Sequence, residues 1–142
     1  MNDLRLKPYM LRLYFGTLLL FILNKFMIRP FVLARELPEI FTVVVFSLPN
    51  ACEAIMGLSC VAGILLYFKH RSSSGFGQIS DGVVYLIALV LASAYVITQE
   101  FNLHHLGGEN TYDPYDVVAS VLGLLTTYLV ISRFGIYESD RD

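Results

Sequence analysis

Four stretches of this chain, near residues 9–28, 40–68, 83–101 and 117–134, are almost free of charged side chains. Each approaches or exceeds the roughly 20 apolar residues that cross a hydrocarbon core. No other feature narrows the fold as far, because a backbone surrounded by lipid must satisfy its N–H and C=O groups internally, as helix or closed barrel. The runs show no alternation and are too long for barrel strands of about 10 residues. A soluble fold would have to bury four helices that are apolar on all sides within 142 residues, and a domain of that size has too little interior for them. Only 15% of the residues are charged, against about 25% in an ordinary soluble domain, and the mean hydropathy is +0.61. These values predict an all-α, polytopic transmembrane helical bundle forming one integral membrane domain over 1–142, with spans near 9–28, 49–68, 83–101 and 117–134.

A basic start, Arg5, Lys7 and Arg12, leads into the apolar run of the first span, in the manner of a signal peptide. The sequence that follows it, Asn24-Lys25-Phe26-Met27, lacks a small-x-small cleavage site, so the segment is expected to remain as an uncleaved span. Arg5, Lys7, Arg12, Lys69, Arg71, Arg133 and Arg141 fall on one side of the expected topology, and Lys25, Arg29 and Arg35 on the other. By the positive-inside rule both termini of this multi-pass chain are expected to face the cytoplasm. A net charge of −2 gives no basic field for nucleic acid. Cys52 and Cys60 stand eight residues apart in one expected helix, about 12 Å along its axis, which is too far for a disulfide.

Residues 40–68 would form a helix of roughly 43 Å, longer than a core of about 30 Å. Ser47-Leu48-Pro49-Asn50 offers a break, since proline suits a first helical turn, and Asn50-Ala51-Cys52-Glu53 has capping-box spacing. The expectation is a spanning helix from Pro49, with Asn50 and Glu53 at the outer interface and an interfacial or re-entrant segment at 40–47. The rival is a single long helix with Pro49 inside it, which moves Glu53 into the membrane, where a carboxylate is costly.

Residues 98–123 contain no Lys or Arg but hold Glu100, His104, His105, Glu109, Asp113 and Asp116. In the third span Ala88, Ala92, Tyr95 and Gln99 share a helix face, and in the fourth so do Asp113, Asp116, Ser120, Gly123 and Thr127. Small residues at these spacings, with Ser59 and Gly63 in the second span, let membrane helices approach closely. The small faces are expected to meet inside the bundle and to bring Gln99, Asp113 and Asp116 together at its outer mouth. Asp113-Pro114-x-Asp116 is also the order of a helix start, with Asp113 as cap and Pro114 in the first turn. Glu100 and His104 have helical spacing for a shared metal, a weak pattern without a supporting Cys or His set, so neither a metal site nor a cofactor is expected.

Gln99-Glu100, then Asn110-Thr111-Tyr112-Asp113-Pro114-Tyr115-Asp116, then Ala119-Ser120-x-x-Gly123 resembles the VanZ-like family of small bacterial membrane proteins. That family carries a Glu/Gln pair ending one span, then Arg-x-x-Asp-x-x-Asp, then Asn-x-x-Gly-x-x-x-Gly opening the next. Here Asn110 replaces the Arg, Ser120 the Asn and Thr127 the second Gly. Asn110 cannot supply the arginine's charge. The family's Lys/His pattern in an earlier span is not visible; Asn50 and Glu53 occupy the comparable region. The resemblance, which covers about a fifth of the chain, implies a four-to-five-helix protein of the cytoplasmic membrane, in a family with links to glycopeptide-antibiotic (teicoplanin) resistance.

Together these readings predict an outward polar pocket lined by Asn50, Glu53, Gln99, Glu100, Asp113 and Asp116. Its expected ligand is a membrane lipid headgroup, a lipid-linked cell-envelope intermediate or a glycopeptide-type molecule. Two alternatives stand beside it: a non-catalytic structural or assembly subunit of a membrane complex, and a metal-dependent or acid/base enzyme acting on a lipid-linked substrate. A homo-oligomer or a membrane-protein partner is compatible with all three.

Overall fold

A computed structural model describes residues 5–35, 37–72, 75–100 and 113–138, without the side chain of Glu100. The elements in order are strand β1 (Arg5–Leu6), helix α1 (Pro8–Leu23), a π-helical turn (Asn24–Ile28), α2 (Arg29–Ala34), α3 (Glu39–Arg71), a 3₁₀ turn (Gly75–Gln78), α4 (Asp81–Glu100), α5 (Pro114–Phe134) and strand β2 (Tyr137–Glu138). α1, the π turn and α2 form one continuous rod of 27 residues, Pro8–Ala34. With α3, α4 and α5 this gives four helices long and apolar enough to cross a membrane. The helical bundle expected from the charge deficit is therefore the fold.

The bundle is packed for lipid. Large side chains such as Phe15, Leu19, Val90, Leu122 and Leu129 point outward, while small and medium ones close the interior, among them Ala54, Leu58, Ala62, Val84, Ala88 and Ile131. The most extensive helix interface joins α3 and α5. At its tightest point a Cβ on Gly123 would lie 2.6 Å from the Ala51 carbonyl oxygen and 3.2 Å from the Ala54 Cβ. No side chain fits there, so glycine sets how closely the two helices approach.

One end of the bundle gathers β1, β2, the C-terminal end of α3 and the start of α4. β1 and β2 pair antiparallel, Arg5 with Glu138 and Leu6 with Tyr137. The last carbonyl of α5, left without an intrahelical donor, and that of its cap residue Gly135 receive donors from near the start of the chain: Lys7 Nζ donates to Phe134 O, and Tyr9 Oη to Gly135 O. Gly135 turns the chain with φ +67°, a conformation glycine adopts without a Cβ penalty. The Ile136 amide donates to Tyr85 Oη at 3.3 Å, and Tyr137 Oη donates to Gly63 O at 3.1 Å. Lys69 pairs with Asp81 across the α3–α4 connection. This is the clasped end; the opposite one, with the π turn, α2, the start of α3 and the start of α5, is the open end.

The expected break at Pro49 is absent. α3 runs unbroken over 33 residues with Pro49 inside it, so 40–47 is not a separate interfacial piece, and Asn50 and Glu53 lie within the helix rather than capping its start. Proline at 49 removes the N–H that would bond the Val45 carbonyl. Asn24, wholly buried, supplies the substitute: its Nδ2 donates to Val45 O at 3.0 Å. Arg29 Nη2 donates to the next carbonyl, Phe46 O, at 2.8 Å, and its guanidinium lies 4.7 Å from the Phe46 ring centroid. Proline is tolerated within a membrane helix when a neighbouring helix satisfies the freed backbone, and here the first rod does so. The first span also runs further than expected, to Ala34, which places Lys25 and Arg29 on a helix instead of in a loop.

Candidate functional site

A cleft of about 200 Å³ opens between α3 and α4 toward the open end, with Ser120 of α5 at its back. Asn50, Glu53, Gly57 and Val61 form one wall, at spacings that keep them on one face of α3. Leu91, Ala92, Tyr95, Val96 and Gln99 form the other. Polarity is graded along the cleft. Asn50, Glu53 and Gln99 stand at the end of it nearest the open end of the bundle, and beyond them the walls are apolar as far as Val61, about 16 Å along α3 from Asn50. Glu53 is exposed and makes no hydrogen bond or ion pair among the described residues. Tyr95, 62% exposed, forms a lip on the lipid side. The cleft is thus open laterally, with a carboxylate and two carboxamides at one end of a greasy channel.

Three of the six residues expected to share a pocket therefore do so: Asn50, Glu53 and Gln99. Asp113 does not line the cleft. It caps α5, its Oδ1 accepting from the Tyr115 amide at 2.9 Å, with Pro114 in the first turn, as the Asp-Pro-x-Asp order predicts. Asp116 also stands outside the lining; it is half-buried in the first turn of α5, and its Oδ1 has no hydrogen-bond partner among the described residues. The side chain of Glu100 and all of His104, His105, Glu109 and Asn110 lie outside the described residues. Among the described residues no three His, Cys, Asp or Glu side chains come together as metal ligands.

Sequence reasoning missed the interior polar layer at the open end. α3 and α5 both run from the open end to the clasped end. Gly123 rests on Ala51 and Ala54, so Asp116, seven residues earlier and about 10 Å nearer the open end, lies level with residues 44–47 of α3. That is the level at which Asn24 and Arg29 engage α3. Asn24 Oδ1, Arg29 Nε, Ser47 Oγ and Asp116 Oδ1 are all buried there without a partner among the described residues. Buried polar atoms are nearly always paired, so four at one depth mark this end as specialised. The available signal was Pro49 itself: a proline within an apolar run needs a donor from elsewhere, and Asn24 is a polar side chain in the preceding span.

None of the known protein families, characterised proteins or solved structures compared with this chain matches it.

Proposed function

We propose that this is a VanZ-like integral protein of the bacterial cytoplasmic membrane that binds an amphiphilic lipid of the cell envelope in the α3–α4 cleft. The observation that carries the reading is the gradation of the cleft: Asn50, Glu53 and Gln99 at the outward end, an apolar channel below, and an open side toward lipid. Such a shape takes a chain along its walls and a head at its rim. Glu53 selects among heads, because a carboxylate repels a bare phosphate and attracts an ammonium or a hydroxyl donor. The preferred ligand is a lipid, or lipid-linked envelope intermediate, whose head is rich in amine or hydroxyl groups. The excess of Lys and Arg at the clasped end supports cytoplasmic termini, with the cleft's polar rim facing outward. Kinship with VanZ-like proteins would add a part in the response to glycopeptide antibiotics.

Mass spectrometry of co-purifying lipids tests this. Wild-type protein should carry one amine- or hydroxyl-headed lipid above its bulk abundance, and the Glu53→Gln/Gln99→Leu double variant should lose it. Identical lipid profiles would overturn the reading. A second reading, a structural subunit of a membrane complex, is favoured by Asp113, whose carboxylate serves as a helix cap. It expects Asp113→Ala to lower stability in detergent and the Glu53→Gln/Gln99→Leu variant to retain the same lipids as wild type.

A further inference from the structure

The clasped end holds a groove of its own, independent of the α3–α4 cleft. It has a volume of about 480 Å³ and runs between α1 and the C-terminal half of α3. Leu11 and Tyr14 line the α1 side, Cys60, Ile64 and Tyr67 the α3 side, and Tyr137 of β2 borders its mouth. The α3 lining runs from Ser59 to Phe68, about 14 Å of helix, close to half of a hydrocarbon core of about 30 Å. Arg71 lies one turn beyond Phe68, its Nη1 donating to Tyr67 Oη of the lining at 3.2 Å. The groove thus matches about one leaflet in length, with a guanidinium just past its polar end.

The charges at this end are unequally matched. Lys69 is paired with Asp81, Lys7 is taken up by Phe134 O, and Arg5 stands opposite Glu138 in the β-ribbon. Asp81 and Glu138 are the acids here among the described residues, against Arg5, Lys7, Arg12, Lys69, Arg71 and Arg133. Arg71 has no carboxylate partner among the described residues. Tyr67 accepts from Arg71 and keeps its own phenol proton for donation. A planar fork of N–H donors beside a phenol suits a phosphate diester, and the groove below suits a chain.

We propose that the α1–α3 groove binds an anionic phospholipid, with its phosphate held by Arg71 and Tyr67 and one acyl chain lying along Ile64 to Cys60. A thiol placed near the groove's mouth reports on it. Phe68 lines the groove one turn from Arg71 and is 60% exposed, whereas Cys52 is buried at 1% exposure, so a maleimide should react with the Phe68→Cys/Cys60→Ala variant at its new thiol, close enough to water to ionise. In nanodiscs of phosphatidylcholine that labelling should be fast, and addition of phosphatidylglycerol should slow it saturably. Arg71→Gln should raise the phosphatidylglycerol concentration needed by roughly tenfold, the loss of a charge-assisted pair. Arg133→Gln, which removes the same charge elsewhere at this end, should leave that concentration unchanged. Ile64→Trp should abolish the protection by filling the groove while the Arg71–Tyr67 pair remains. Inorganic phosphate alone should give no protection. Equal effects of the two arginine variants, protection by phosphate alone, or no difference between the two lipids would each overturn the proposal.

Discussion

The two ends of this bundle handle polar groups differently. At the clasped end the terminal carbonyls of α5 are met by Lys7 and Tyr9, the Ile136 amide by Tyr85, and the Tyr137 phenol by Gly63. At the open end Asn24 and Arg29 each satisfy one α3 carbonyl, yet four buried polar atoms stay unpaired among the described residues, and Glu53 stands exposed on the wall of a cleft. A membrane protein gains stability by pairing every backbone group away from lipid. Both ends pair the backbone groups named above. What sets the open end apart is its layer of four buried side-chain atoms without partners among the described residues, against Ser59 Oγ alone in the α1–α3 groove.

The largest test concerns the seam common to both ends. Gly123→Leu must force α3 and α5 apart, because even a single Cβ would approach the Ala51 carbonyl oxygen to 2.6 Å. We expect destabilisation of about 3 kcal/mol or more, seen as a lowered unfolding midpoint in detergent. A well-folded, equally stable variant would mean that the two ends do not share a rigid spine.

Next in size is the Asn24 latch. Asn24→Leu leaves the Val45 carbonyl buried and unpaired, at a cost of about 1–3 kcal/mol. Pro49→Ala restores the amide that this carbonyl lacks, so in that background the same substitution should cost less. The double-mutant cycle should show coupling of about 1 kcal/mol between the two sites. Strict additivity would show that Asn24 does not stand in for the missing proline donor.

Tyr137→Phe removes one bond from the clasp and should cost about 1 kcal/mol. Burial, and secondarily the nearby Tyr67, pushes the Tyr137 phenol above its ordinary value of 10.0. A folded-state value raised in this way contributes stability that is complete below the unfolded value and lost as pH rises through the raised one. A stability profile taken to alkaline pH should therefore fall less steeply in Tyr137→Phe than in wild type. Parallel profiles would remove Tyr137 from the clasp's titration.

The contrast between the ends also explains which features were legible in the sequence. The four spans followed from charge deficit alone, because that signal is local and each helix completes its own hydrogen bonds. The Asp113 cap was legible for the same reason: donor and acceptor lie two residues apart. The fate of Pro49 was not, since its break or continuation is decided by Asn24, a residue twenty-one positions upstream of the carbonyl it serves. Side-chain spacing put Gln99 on a face of α4 that lines the cleft, and Asp113 and Asp116 at the same end of the bundle. It could not show that both acids stand outside the cleft's lining, because that depends on how α5 seats against α3, with Gly123 on Ala51 and Ala54. The clasp joins residues more than a hundred positions apart and left no mark in any window of sequence.

The smallest effect on stability is expected where the proposed function is greatest. Asp113→Ala should cost about 1 kcal/mol, the usual loss of a helix N-cap, and leave the bound lipid unchanged. Glu53→Gln should shift stability by no more than about 0.5 kcal/mol, because the carboxylate has no hydrogen-bond or ion-pair partner among the described residues and stands exposed on the cleft wall. A small gain is as acceptable as a small loss, since a neutral amide is easier to keep beside lipid than a carboxylate. Its effect should fall instead on the lipid head selected at the rim, read by mass spectrometry of the purified protein. Comparing the two variants separates an acid that holds the helix from an acid that faces a ligand. If Glu53→Gln destabilised the protein as much as Asp113→Ala and left the lipids unchanged, the acids at the open end would be structural, and the difference between the two ends would be one of hydrogen-bond pairing alone.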